Sequence, residues 1–256
     1  MLFYKTIDNN KKDWMLFLHC ICGDSSIFDA QIDNYSENFN ILLIDLPGHG
    51  NIKNYNNTFS FDDISSNIIN ILDDLSIEKT HITSLSLGAI IASYLIINYP
   101  NRFDKALFTG MAISLPNKLA LFAFKTFNNI KYFIPTKIWL PLLIYLIIPR
   151  TQDVIYRKLF YKNGILMNKK VLHNWLTLMN DFFSVFPNQI KNNFINTPHE
   201  NLFIYGEYDF LFHSAFKKVF ANDNLNVMLI KNTGHLCNVN SSKKFNNLAI
   251  SFFKQL

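Results

Sequence analysis

The sequence predicts an α/β fold: a mostly parallel central sheet with helices on both faces and an inserted all-helical cap. Three observations carry this. Short continuous apolar runs alternate with amphipathic helical patterns in the first half of the chain, as expected for parallel strands buried on both faces. That rhythm stops near Met111 and resumes near Asn201. The intervening segment is helical and unusually apolar, with no convincing strand.

The elements follow in order. The few apolar residues of "MLFYKTI" suit a first strand. "MLFLHC" (Met15 to Cys20), "NILLIDL" (Asn40 to Leu46), "THITSLS" (Thr80 to Ser86) and "DKALFTG" (Asp104 to Gly110) read as strands. Between them, "SSIFDAQIDNYSENF" is a helix capped by Ser25 or Ser26. "FSFDDISSNIINILDDL" and "LGAIIASYLIINY" are further helices, the last stopped by Pro100. Strands joined through helices imply right-handed crossovers. "NLFIYGEYD", a helix at "SAFKKVFAN", the strand "NVMLIKN" and a final helix at "KKFNNLAISFFKQ" complete the pattern. The core is therefore expected at 1–110 and 199–256, and the cap at 111–198.

Composition narrows the possibilities. The chain has 256 residues, 49% of them hydrophobic, which suffices for one sizeable core. The formal net charge is +5 and reads as spread along the chain, with no basic block dense enough to specify nucleic acid or anionic lipid. Three cysteines do not make a disulfide scaffold and favour a reducing compartment. The N-terminus lacks a signal-peptide pattern, so a cytoplasmic location is expected. "IWLPLLIYLIIP" is too short for the ~20 residues a membrane span needs, and no stable membrane insertion is expected.

The chemistry centres on "SLSLG", Ser84 to Gly88. A serine nucleophile on a parallel sheet must project from the carboxyl edge, which a tight, strained strand-to-helix turn achieves. Crowding there requires small residues two before and two after. Ser86 meets both conditions, with Ser84 and Gly88; Ser84 as nucleophile would put Ile82 at the crowded position.

With "LFLHCICGDSSIF", "DLPGHG", "YGEYD" and "NTGHLCN" in the same order and at strand ends, the sequence resembles the α/β-hydrolase family over nearly its whole length. The resemblance implies a nucleophile, acid and histidine in that order: Ser86, Asp209 and His235. His235 would act as general base and Asp209 would orient it. Glu207, beside Gly206, suits a turn. The oxyanion donors implied are the N–H groups of Leu87 and Ile21; losing one such donor costs about 3 kcal/mol. Here the loop departs from the usual HG-x-G pattern, with Cys20 and Cys22 in place of both glycines. Cys20, Cys22 and Cys237 with His19 and His235 could in principle converge on a metal, but C-x-C is poor zinc spacing and buried thiols are the simpler reading. No cofactor or metal is expected. His49 reads as a structural loop residue, and His81, His173, His199 and His213 as structural or surface residues.

Serine at the elbow favours acyl chemistry on an ester, thioester or lactone. Acyl transfer, carbon–carbon cleavage with the same three residues, and a non-catalytic ligand receptor on the same fold are the alternatives. Phe122, Phe124, Trp139, Leu143, Tyr145, Trp175, Phe182 and Phe183 are expected to divide between core packing and an apolar pocket, with Phe122, Trp139, Tyr145, Trp175 and Phe182 as substrate-binding candidates. The only cap arginines are Arg150 and Arg157, which disfavours large polyanions. The expected partner is a small apolar acyl compound and not a nucleic acid.

Overall fold

A computed structural model describes residues 2–52, 55–115, 118–149, 153–186, 190–221, 223 and 225–254. Seven strands form one sheet: β1 (Phe3–Ile7), β2 (Trp14–Leu18), β3 (Asn40–Asp45), β4 (Thr80–Leu85), β5 (Phe103–Thr109), β6 (Glu200–Gly206) and β7 (Asn226–Ile230). Their spatial order is β1-β3-β2-β4-β5-β6-β7. β1 runs antiparallel to β3 and every other pairing is parallel.

Every residue of β3 and β4 is buried; β3 is apolar from 41 to 44, whereas β4 also buries Thr80, His81, Thr83 and Ser84. Full burial of a side chain such as Leu42 or Ile82 contributes about 1.5–3 kcal/mol. Helix α3 (Leu87–Asn98) lies on β2, β4 and β5 with α2 (Phe61–Asp74) and the short α8 (Lys191–Ile195) beyond it. It is therefore apolar around most of its circumference. Ser60 starts α2 with a reciprocal capping box to Asp63.

Two local expectations change. Asp24, not Ser25 or Ser26, caps the helical turn that leads into α1 (Asp29–Ser36), because its carboxylate accepts from the Ser26 N–H. The helix expected at "SAFKKVFAN" starts earlier, as α9 (Phe210–Val219). The chain closes with α10 (Cys237–Asn240) and α11 (Ser242–Lys254).

Between β5 and β6 the chain leaves the sheet for the helical insert α4 (Lys118–Ile130), α5 (Thr136–Ile147), α6 (Val154–Leu166) and α7 (Lys169–Val185). The strand-free reading of this segment matches the insert. Pro141 sits inside α5. Among the described residues, no helix is long and apolar enough to cross a membrane.

Candidate active site

The carboxyl ends of the parallel strands meet at one edge of the sheet, where α/β folds place their ligands. β4 ends at Leu85 and α3 starts at Leu87, so Ser86 makes the whole turn. Its φ of 54° and ψ of −107° lie in a sparsely populated region, a strain of about 1–3 kcal/mol that the surroundings must impose. They do so through three contacts. The Ser86 N–H donates to Thr109 O at 2.9 Å. Ser84 Oγ donates to Leu107 O at 2.8 Å. A Cβ on Gly88 would fall 2.0 Å from Leu18 O, so only glycine lets α3 start this close to β2.

Asp209 and His235 come from the ends of β6 and β7. Gly206 meets the His235 loop so closely that a Cβ there would lie 2.0 Å from Gly234 O. The Tyr208 N–H donates to Thr233 O at 2.9 Å. Glu207 is a turn residue, its carboxylate accepting from the Asn232 N–H at 2.9 Å. With the two loops tied together, His235 Nδ1 donates to Asp209 Oδ2 at 2.8 Å, both side chains being buried. That bond leaves the lone pair on Nε2. His235 Nε2 is buried without a hydrogen-bond partner, and His235 and Ser86 line the same cavity. The Phe212 ring packs on the imidazole at 4.8 Å between centroids.

The loop after β2 forms the other wall. Cys20, Ile21 and Cys22 line the Ser86 cavity. Cys22 has φ 58°, so one of the two cysteines in place of glycine holds the left-handed conformation that glycine adopts freely. His49 compensates: its Nε2 accepts the Cys22 N–H at 2.9 Å while Nδ1 donates to Pro47 O at 3.0 Å. His19 bonds in the same sense, with Nε2 accepting from the Leu46 N–H and Nδ1 donating to Cys20 O. These partners require neutral rings. Burial lowers the affinity of both imidazoles for a proton, and that of His49, beside His19, is pushed down to about 3. Asn163 of α6 clamps the loop from the cap side, donating to Cys22 O at 3.1 Å.

Burial also raises all three thiol pKa values, that of Cys22 to about 12, so none is a thiolate near neutral pH. Among the described residues, no group of three or more His, Cys, Asp or Glu side chains is arranged to hold a metal ion.

The cap side chains divide between packing and two cavities. The Ser86 cavity, about 30 Å³, is closed over by Leu140, Leu143, Ile144, Ile147 and Ile148 on and just after α5, with Phe160 and Leu172. None of the five substrate-binding candidates lines it. Phe122 is 67% exposed and Tyr145 54% exposed, the latter under the Arg157 guanidinium at 5.4 Å. Trp175 is buried as structure, its Nε1 donating to Pro47 O at 2.9 Å. Phe182 is buried among Phe61, Tyr94 and Phe186. Trp139 lines a second, larger apolar pocket of about 470 Å³ together with Phe124, Phe127, Met179, Phe183 and Phe212; its Nε1 is buried and unpartnered. Leu143 and Ile147 line both cavities and so stand between them. Arg157 donates to Ile148 O; Arg150 lies outside the described residues.

Sequence reasoning passed over Gly110. It follows β5 with φ +53°, and a Cβ there would fall 2.7 Å from His235 Cε1 and 3.2 Å from Asp209 Oδ2. The available signal was a glycine ending a strand at the sheet edge. Leu143 was among the expected residues, but Leu140, Ile144 and Ile147 were hidden by an apolar helix that gives no clue to which side faces inward.

The chain belongs to the alpha/beta hydrolase fold family, whose model matches residues 13–203. It is 22% identical over 114 residues to 3-oxoadipate enol-lactonase 2 of Acinetobacter baylyi, a match spanning 44% of this chain and only 43% of that relative. Its fold is similar to that of a hydrolase from Pseudomonas aeruginosa PA01, with a TM-score of 0.80 at 18% identity, covering 99% of this chain and 94% of the other. The enol-lactonase from Burkholderia xenovorans LB400 gives a TM-score of 0.77 at 13% identity, covering 99% and 96%. At these identities the structural likeness is one of fold.

Proposed function

We propose that the chain is a serine hydrolase that cleaves a small or medium apolar carboxylic ester, thioester or lactone through an acyl-enzyme. The observation that carries this is the buried Asp209–His235 bond, made by Nδ1, with a serine strained at a strand-to-helix turn lining the same cavity. Ser86 Oγ attacks the acyl carbon as its proton passes to His235 Nε2. The oxyanion forms against the N–H groups of Ile21 and of Leu87, the first residue of α3, where helical N–H groups lack intrahelical partners. Collapse expels the alcohol or thiol, which takes the proton from Nε2. Water, deprotonated by the same nitrogen, then releases the acid and restores Ser86. Asp209 keeps the proton on Nδ1 and stabilises the imidazolium.

The apolar lining of both cavities favours an apolar acyl group, and relatives that include lactonases and other hydrolases support acyl chemistry. The space beside Ser86 is about 30 Å³, near the volume of one water molecule, and Leu143 and Ile147 divide it from the larger apolar pocket. The cysteines in the oxyanion loop favour a ligand receptor as the second reading. An acyltransferase with the same residues would pass the acyl group to an added alcohol or amine in preference to water.

Turnover of p-nitrophenyl esters of graded chain length tests the proposal. Hydrolysis lowered at least about a thousandfold by Ser86→Ala is expected. Saturable binding without turnover by the native chain would replace it with the receptor reading.

A further inference from the structure

We propose that the outer face of the cap is a docking surface for an anionic phospholipid bilayer. Residues 111–198 carry eleven lysines and arginines against two aspartates, whereas the rest of the chain carries thirteen against seventeen acidic residues. The modest overall excess thus hides a strongly basic cap on an acidic core, and the even spread expected from the sequence is corrected. Asp153, one of the two cap acids, is buried and bonded to Asn240, and of the eleven bases Lys131 is buried and Lys191 is paired with Asp223.

The exposed surface of the cap is also apolar. Among the described residues, the exposed large apolar side chains all belong to the cap except Phe3, Val227 and Leu229. α5 presents Ile138, Leu142, Tyr145 and Leu146 outward, where a helix on a protein surface ordinarily carries polar residues. α4 adds Leu119 and Phe122, the turn after it Phe133, and α6 Ile155 and Leu159. Pocket lining joins α4 to α5, and α5 packs on α6, so these side chains belong to adjoining helices. Exposed Lys118, Lys125, Lys137, Lys158 and Lys162 are interleaved with them.

An apolar face set among lysines matches an interface in which side chains enter the acyl boundary and ammonium groups meet phosphates. A second copy of the chain fits worse. A two-fold interface would bring each basic face onto another. Leu142 and Leu146 are both exposed and part of the lining of the 470 Å³ pocket, so that pocket opens within the apolar face. A lipophilic compound dissolved in the bilayer would meet its mouth directly.

Co-sedimentation with vesicles of three parts phosphatidylcholine to one part phosphatidylglycerol tests this. The native chain should partition at least about tenfold more strongly to these than to phosphatidylcholine alone, and about 0.5 M salt should weaken the difference. The triple variant Phe133→Asp, Ile138→Asp, Ile155→Asp should stay in solution while keeping the native circular dichroism spectrum and native hydrolysis of a soluble acetate ester. Ser86→Ala should sediment like the native chain, which separates docking from catalysis. Native chain left in solution at low salt, or a triple variant that sediments equally, would overturn the proposal. So would a dimer in sedimentation velocity that the triple variant dissolves without any native binding to vesicles.

Discussion

Gly110 leaves open the space that the His235 ring fills: an added Cβ would stand 2.7 Å from the ring's Cε1 and 2.8 Å from its Nδ1. The residue just after β5 therefore sets the position of the imidazole delivered by β7, a strand two places away in the sheet. Gly110→Ala should displace the ring by a few tenths of an ångström or more and lower kcat about a hundredfold. Its φ of +53° adds strain for alanine, costing about 1 kcal/mol. Steady-state kinetics beside a urea melt will show a loss of kcat far larger than the loss of stability.

The elbow should separate space from hydrogen bonding. Gly88→Ala places a methyl group 2.0 Å from Leu18 O, a backbone clash that a side-chain rotation cannot relieve. It should prevent native folding or open the turn, seen as lost thermal cooperativity. Ser84→Ala keeps the space and loses the bond to Leu107 O. It should cost about 1 kcal/mol in denaturant melts and leave turnover within a few-fold.

Acid should weaken the loop that carries Ile21. Folded His49 binds a proton only near pH 3, against an ordinary value of 6.5. Between those values the unfolded chain holds more protons, so this contribution to stability is complete above pH 6.5 and is lost as pH falls through the window. At pH 5 the His49 share is about 2 kcal/mol. His49→Gln, which can still accept the Cys22 N–H, should lose about that much less stability between pH 7 and pH 5 in urea melts.

Leu143 and Ile147 divide the Ser86 cavity from the 470 Å³ pocket. Leu143→Ala should join the two volumes and move the preferred acyl chain of p-nitrophenyl esters toward greater length. A change of about tenfold in relative kcat/KM between short and long chains is expected, given 1–3 kcal/mol for a methylene-scale change in an apolar pocket.

The strands and the elbow were legible in the sequence because each depends on local pattern. Runs such as 15–18 and 41–44 are apolar because both faces of the sheet are covered, and "SLSLG" must be small where α3 starts against Leu18. Asp209 and His235 were legible as residues following strands, since the sheet brings strand ends together. The cap was not legible in detail. An apolar helix such as α5 has two apolar sides, and nothing in "IWLPLLIYLI" says that Leu140 and Ile144 face inward while Leu142 and Tyr145 face out. Trp175 looked like a binding residue because its role as a donor to Pro47 O joins positions far apart in the chain. Cys22 stood out as a departure from the HG-x-G pattern; the His49 bond that supports its φ of 58° crosses 27 positions.

The most direct measurement is intact-mass and peptide analysis after treatment with an alkyl fluorophosphonate. One adduct per chain is expected, on Ser86, absent from Ser86→Ala and formed about a thousandfold more slowly in Asp209→Asn. A folded native chain that takes up no adduct, or takes it up on another residue, would contradict the assignment of Ser86 as the nucleophile.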